Sequence, residues 1–281
     1  MSWGFMNRLS RIIQPEDGRT VMLAVDHGYF LGPTSGLECM RDSIVPLAPY
    51  ADTLMLTRGM LRTQIPTACD TPIVLRVSGA NSVLDDDLSN ETIITDIDEV
   101  IRLNAAGMAL SIFVGSPHQH QTIANLASLI DLGETYGIPV IAVTAVGKDM
   151  VRDARYLALA TRIAAEMGAH IVKTYYVEDD FERITSTCPV PVVMAGGKKL
   201  PEREALEMTW NAMDRGASGV DMGRNIFQSD SPIGMIKAVN AVVHGGASVP
   251  DAYAIYQDEK PKGRKKAAGK KKIAADDSRK I

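Results

Sequence analysis

His170-Ile171-Val172-Lys173-Thr174-Tyr175-Tyr176 is a short β-rich run that follows the helix-ending pair Gly168-Ala169. Period-two alternation places Ile171, Lys173 and Tyr175 on one face of the predicted strand. Lys173 is the residue out of place. A lysine directed into a protein interior loses solvation of its ammonium, so its pKa is expected to fall and leave a neutral amine able to attack a carbonyl, as a Schiff-base lysine does. The alternative is a lysine that snorkels past the strand end to water or pairs with a carboxylate. The surrounding sequence has to decide between the two.

Working outward, the same unit of apolar strand, loop and amphipathic helix repeats along the chain. Strands are predicted over 21–27, 53–59, 73–79, 109–115, 140–146, 170–176, 191–197 and 219–225. They are near-continuous hydrophobic runs, as a parallel sheet covered on both faces requires. Helices are predicted over 97–106, 122–136, 155–167, 201–215 and 232–244, and Gly137, Gly168 and Gly216 follow three of them as C-terminal caps. Eight such units predict a single (β/α)8 TIM barrel over 21–258. Residues 1–20 become an N-terminal segment across its bottom or at a subunit contact. An open doubly wound sheet ranks below, because the first strand-to-helix turn, DHGYFLGPTSG, lacks the GxGxxG dinucleotide fingerprint.

Composition narrows the function classes. Of 281 residues, 46% are hydrophobic and 23% charged, the balance of a soluble globular protein. No apolar run approaches the roughly 20 residues of a membrane span, and the N-terminus has no secretory pattern. Cys39, Cys69 and Cys188 are an odd number without metal-ligand spacing, which fits a reducing cytoplasm and no metal site. The net charge of −4 divides unevenly. Residues 260–281 carry ten Lys/Arg and two Asp, leaving twenty basic and thirty-two acidic residues before them. The segment 259–281 is therefore read as a disordered basic tail. Nucleic-acid contact by that tail is the less favoured reading against a solvated appendage.

In a barrel, chemistry gathers at the C-terminal ends of the strands. There the sequence places Asp26-His27-Gly28 after strand one, Thr57-Arg58-Gly59 after strand two, Arg76, Ser78 and Asn81 after strand three, and Thr144, Gly147, Lys148, Asp149 and Arg152 around strand five. Gly196-Gly197-Lys198 follows strand seven and Gly223-Arg224-Asn225 follows strand eight. Glycines let a backbone approach an anion closely, and an arginine adds a charged fork. Barrel phosphate sites lie on these two loops, so Gly196, Gly197, Gly223, Arg224 and Asn225 are candidate phosphate ligands. Tight turns that need glycine for their own sake are the alternative. An anion anchored there would lie beside Lys173, which favours the Schiff-base reading.

Leu23-Ala24-Val25-Asp26-His27-Gly28, the strand-six lysine, the paired glycines after strand seven and Gly223-Arg224-Asn225-Ile226-Phe227-Gln228 together resemble the archaeal-type class I fructose-bisphosphate aldolase family. From Trp3 to about Tyr256 the chain is more closely similar to a thiolase branch of that family, through 21–28 with Tyr29-Phe30, GKDMVRD at 147–153, and residues 160–168, 173–177 and 195–206. The resemblance implies a catalytic lysine at Lys173, a homo-oligomer of decamer type, and transfer of acetyl from a phosphorylated diketone to coenzyme A in autoinducer-2 degradation. Coenzyme A would be a co-substrate, not a resident cofactor. The basic tail lies outside the resemblance, and the N-terminal arm is shorter than the family pattern. Where the aldolases carry a proton-handling tyrosine after strand five, this chain reads Val143-Thr144-Ala145-Val146-Gly147, so a different bond cleavage on the same scaffold is expected. Asp26 is the candidate for proton transfer, with His27 either sharing that work or orienting Asp26. Lys198 and Lys199 are candidate partners for the phosphates of coenzyme A. A class I aldolase acting on a ketose phosphate, or a non-catalytic sugar-phosphate binder, are the competing functions.

Overall fold

Alternation of buried apolar residues along the strands closes them into a ring. A computed structural model describes residues 1–145 and 153–260. The strands in chain order are β1 (Thr20–Ala24), β2 (Thr53–Thr57), β3 (Ile73–Arg76), β4 (Ser78–Gly79), β5 (Thr92–Ile93), β6 (Gly107–Ile112), β7 (Val140–Thr144), β8 (Ile171–Tyr175), β9 (Val192–Ala195) and β10 (Gly219–Met222). Eight of them form a closed parallel barrel in the order β1-β10-β9-β8-β7-β6-β3-β2. Each is followed by helical chain that covers the outside, as in the helices Gln119–Tyr136, Ala154–Glu166, Glu202–Asp214 and Pro232–Val243. The predicted (β/α)8 architecture is the one observed.

Two strand ends differ from the sequence-based expectation, and both bear on the site. The third strand leaves the barrel after Arg76, and Ser78–Gly79 pairs antiparallel with Thr92–Ile93 to make a flap over the mouth. The eighth strand stops at Met222, because the chain turns at Gly223 into a short helix, Arg224–Phe227. Asn225 therefore lies on a helix, not on a strand. Helices at Trp3–Ser10, Phe181–Thr187 and Val249–Asp258 were not expected from periodicity, although Ser2 caps the first by accepting from the Phe5 N–H. Residues 261–281, most of the basic tail, lie outside the described residues. So do 146–152, including Gly147, Lys148, Asp149 and Arg152.

The barrel interior is layered. At the bottom Ile12, Met22, Met55, Val74, Ile141, Ile171 and Val193 are fully buried against one another, so the N-terminal segment supplies the plug. Full burial of one such side chain contributes on the order of 1.5–3 kcal/mol. The layer above these side chains is polar at Arg76, Ser111, Lys173 and Asp221. The hydrophobic layer thus forms a dry floor beneath a charged one.

A histidine clasp ties that plug to the outer wall. His244, at the end of the helix Pro232–Val243, meets Asp17 through Nδ1 at 2.7 Å and Asp52 through Nε2 at 2.9 Å. Asp52 also accepts from the Val21 N–H at 2.6 Å and from Gln14 Nε2 at 2.8 Å. Hydrogen bonding to Asp52 leads the causes that raise His244 to about 9. Its folded value exceeds its unfolded one, so its contribution to stability is complete below about pH 6.5 and is lost as pH rises through about 9. Thermal melting followed from pH 6 to 10 is expected to show this decline, and His244→Gln to flatten it; equal slopes in the two proteins would refute the clasp.

Candidate active site

Lys173 points inward from the sixth barrel strand, between Val143 on β7 and Val193 on β9. Its Nζ lies 2.7 Å from Oδ2 of Asp221 and 3.9 Å from the sulfur of Met55. Asp221 is fully buried on β10, and apart from Lys173 no donor among the described residues reaches either of its oxygens. Asp26 is buried at the end of β1, where its Oδ2 lies 3.6 Å from Nη1 of Arg76. Arg76 is bound in turn to Glu91 on the flap at 2.9 Å, to the Tyr29 hydroxyl at 2.6 Å and to Ser111 Oγ at 2.5 Å. Glu91 also accepts from Ser78 Oγ at 2.6 Å and from Tyr29 at 2.5 Å.

This cluster corrects the expected charge state of Lys173. Burial acts to lower its pKa, but the carboxylates of Asp221 and Asp26 outweigh burial and the value is raised, so the resting side chain is an ammonium. Removing an ammonium from water costs several kcal/mol, and contact with a carboxylate at 2.7 Å offsets it. The deep cluster holds three carboxyl groups against two cations, one negative charge too many when all are ionised. Burial, reinforced by Asp26, raises Asp221, so it takes up a proton more readily than an ordinary carboxyl. Asp26 goes the other way. Burial would raise it, but Lys173 and Arg76 hold it below the usual carboxylate range. The pair Lys173 and Asp221 therefore shares its protons, and transfer to Asp221 frees the amine.

His27 is neutral at ordinary pH, because burial pushes it down to about 4. Its Nδ1 is 4.0 Å from Asp26, too far for a hydrogen bond, and has no partner. The orienting role for Asp26 falls instead to Arg76. Tyr29 is a phenol at the mouth that the sequence did not single out. Burial raises its pKa, and its hydroxyl is held between Glu91 and Arg76.

The predicted anion loops flank the lysine. Gly196, Gly197, Gly223, Arg224 and Lys198 line the same cavity of about 570 Å³ as Lys173, Asp26 and Asp221. That volume suits a small phosphorylated metabolite. Gly197 has φ +66°, in the left-handed region that favours glycine. A Cβ on Gly223 would lie 2.3 Å from the Ala24 carbonyl oxygen, so that site excludes any side chain. Arg224 donates through Nη2 to the Gly197 carbonyl at 2.9 Å, while its Nε is buried without a partner among the described residues. Asn225 does not join them. It is fully buried, accepts from the Leu200 N–H at 2.7 Å and donates to the carbonyls of Gly196 at 2.6 Å and Lys198 at 3.2 Å. It clamps the glycine loop and does not line the cavity. Lys199 is bound to Glu202 at 2.9 Å, whereas Lys198 is exposed at the rim.

Asp221, Glu91 and Tyr29 were missed as site residues, and Arg76 was placed at the mouth without a role. A weak signal existed for Asp221, a charge between Val220 and Met222 inside a run otherwise fit only for burial. Glu91 had none, since its place follows from the flap. The three cysteines are free and none lines the cavity.

Comparison with known proteins agrees with this geometry. The family model described as DeoC/LacD family aldolase matches residues 20–229. The 3-hydroxy-5-phosphonooxypentane-2,4-dione thiolase of Escherichia coli strain K12 is 60% identical over 260 residues, 92% of this chain and 89% of that protein. An uncharacterized aldolase of Pasteurella multocida is 59% identical over the same shares. Among solved structures, an archaeal fructose 1,6-bisphosphate aldolase superposes with a TM-score of 0.78 at 25% identity, covering 86% of this chain and all of its own. Another archaeal aldolase, whose catalytic lysine is covalently bound to the carbinolamine intermediate of its substrate, gives 0.77 at 25% identity, with the same coverage of both chains.

Asp221→Asn removes the nearer of the two carboxylates that raise Lys173. Acetylation of Lys173 by acetic anhydride, followed by mass spectrometry across pH, is expected to reach its midpoint at lower pH in this variant. An unchanged midpoint would mean that Asp221 does not hold the ammonium.

Proposed function

The chain belongs to the DeoC/LacD aldolase family, and we propose that it transfers the acetyl group of 3-hydroxy-5-phosphonooxypentane-2,4-dione to coenzyme A, giving acetyl-CoA and dihydroxyacetone phosphate in autoinducer-2 degradation. The observation that carries this reading is a buried lysine paired with a proton-accepting carboxylate, inside a cavity whose far loops offer glycine amides and an arginine. Identity of 60% to thiolases of that name supports the substrate.

The substrate phosphate docks on Gly196, Gly197, Gly223 and Arg224, with the adjacent carbonyl against Lys173. Lys173 passes a proton to Asp221 and its amine attacks that carbonyl. Asp221 returns the proton as the carbinolamine loses water, leaving an iminium. A coenzyme A thiolate then adds to the acetyl carbonyl. The bond between the acetyl carbon and its neighbour breaks, and its electron pair moves into the iminium to give an enamine. Protonation of the enamine carbon and attack of water release dihydroxyacetone phosphate and restore the amine. The thiol loses one proton and the enamine carbon gains one, so the reaction balances. Asp26, held ionised by Lys173 and Arg76, steadies the cation and relays protons as the carbinolamine forms and breaks down.

Aldol cleavage on the same lysine needs a base for a substrate hydroxyl. The phenol at the mouth, Tyr29, is bound to Glu91 and holds its proton more tightly than a free phenol, which favours acyl transfer. A homo-oligomer and a cytoplasmic location belong to the same reading. The location draws support from three free cysteines and from the lack of any described helix long and apolar enough to cross a membrane. The tail over 259–281 is taken as an appendage to a catalytic body over 21–258.

A coupled assay for acetyl-CoA with the phosphorylated diketone tests the proposal. Lys173→Ala is expected to lose more than about a thousandfold in kcat, and to lose the mass adduct that borohydride traps with dihydroxyacetone phosphate. Release of an aldehyde without acetyl-CoA would replace acyl transfer by aldol cleavage. Arg224→Ala is expected to raise KM for the phosphorylated substrate about 10- to 100-fold, since a charged hydrogen bond is worth about 1.5–3 kcal/mol. Removal of residues 261–281 is expected to leave the rate unchanged within about twofold, and a larger loss would give the tail a role in catalysis.

A further inference from the structure

The cavity has two unlike ends. In the closed ring β9 and β10 stand opposite β3 and β6, so the glycine loops with Arg224 face the loops that follow β3 and β6 across the mouth. Lys173 on β8 lies on the arc between them, with Val143 of β7 as its register partner on the side away from the glycines. The end opposite Arg224 carries an apolar strip of wall beside the Arg76 cluster. Leu88 of the flap, Phe113 at the end of β6, Val143 and Phe30 line it. Phe30 is fixed there because its carbonyl accepts from the Val83 N–H of the flap at 2.8 Å. Arg76, Tyr29, Glu91 and Ser111 line the same side but are bound to one another, and Asn81 is the polar group there with an open acceptor. Asn81 donates through Nδ2 to the Leu88 carbonyl at 2.5 Å and to Glu91 at 3.3 Å. Both partners are acceptors, which fixes the amide orientation and leaves Oδ1 as the acceptor. That Oδ1 is buried and has no partner among the described residues.

We propose that this wall is the binding site for the arm of the acyl-accepting thiol, an aliphatic chain interrupted by secondary amides as in pantetheine. The inference rests on the acetyl-transfer reading above. A substrate held by its phosphate on β9 and β10 and joined to Lys173 on β8 directs its remaining carbons toward β7, β6 and β3. The thiol that attacks the acetyl carbonyl must approach from there. Methylene groups of the arm pack on Leu88, Phe113 and Phe30, and one of its amide N–H groups donates to Asn81 Oδ1, supplying the missing donor. The wall contacts the arm alone, so it does not distinguish coenzyme A from pantetheine.

Kinetics of Asn81→Leu and Leu88→Ala with each thiol test this. KM is expected to rise about tenfold, by the same factor for coenzyme A and for pantetheine. The yield of the borohydride adduct between Lys173 and dihydroxyacetone phosphate, which involves no thiol, is expected to persist. A thiol KM unchanged within about twofold in both variants, with the adduct retained, overturns the site. A second measurement needs no substitution. Pantetheine carrying a photoreactive diazirine on its sulfur is expected to label peptides containing Phe30, Leu88 or Phe113, and labelling confined to other residues overturns the proposal. Failure of the parent reading shows separately, as no acetyl-CoA formed by the unsubstituted protein with either the adduct or an aldehyde product still present.

Discussion

Lys173 and Asp221 meet at 2.7 Å above a floor of packed aliphatic side chains, and the rest of the mouth is arranged around that contact. In such a dry place neither charge is tolerated alone. The ammonium needs its carboxylates, and the carboxylates need the guanidinium of Arg76, which is secured by Glu91, Ser111 and Tyr29. Burial alone would have given a weakly basic amine at rest. The observed network gives a charged one with an acceptor in contact, so deprotonation is a short internal transfer and not an equilibrium with solvent.

Much of the barrel was legible in the chain because its signals are local. Each strand is an apolar run, several helices stop at a glycine, and Lys173 is conspicuous for interrupting such a run. The glycines after the seventh and eighth strands were legible for the same reason, since their chemistry needs only the backbone of the next few residues. What escaped was non-local. The charge state of Lys173 was misjudged because its partner lies 48 positions further on, a distance no periodicity spans. Asn225 sits in a stretch that suggests anion contact, yet the turn at Gly223 carries its side chain underneath the loop and not into the cavity. Strand ends were the other weak point. Ser78 continues the apolar pattern of β3 but pairs with the flap.

The two ends of the cavity express a division of labour between backbone and side chains. On the β9 and β10 side the cavity is bounded by glycine backbone, with Asn225 stitching the loop together from below. On the opposite side it is bounded by side chains of the flap and of the loop after β1. Lys173 lies between the two. Holding a phosphorylated donor at one end while an acceptor enters at the other suits transfer of a group between them.

Glu91 gives the flap a second consequence. The residue that balances Arg76 arrives on the same short antiparallel ribbon that shapes the cavity's rim, so lid and counter-ion are covalently one piece. Grafting a foreign ribbon to retarget the enzyme would strip a buried guanidinium of its anion unless a carboxylate came with the graft. In this scaffold the acceptance of new substrates and the integrity of the interior cannot be engineered as independent modules.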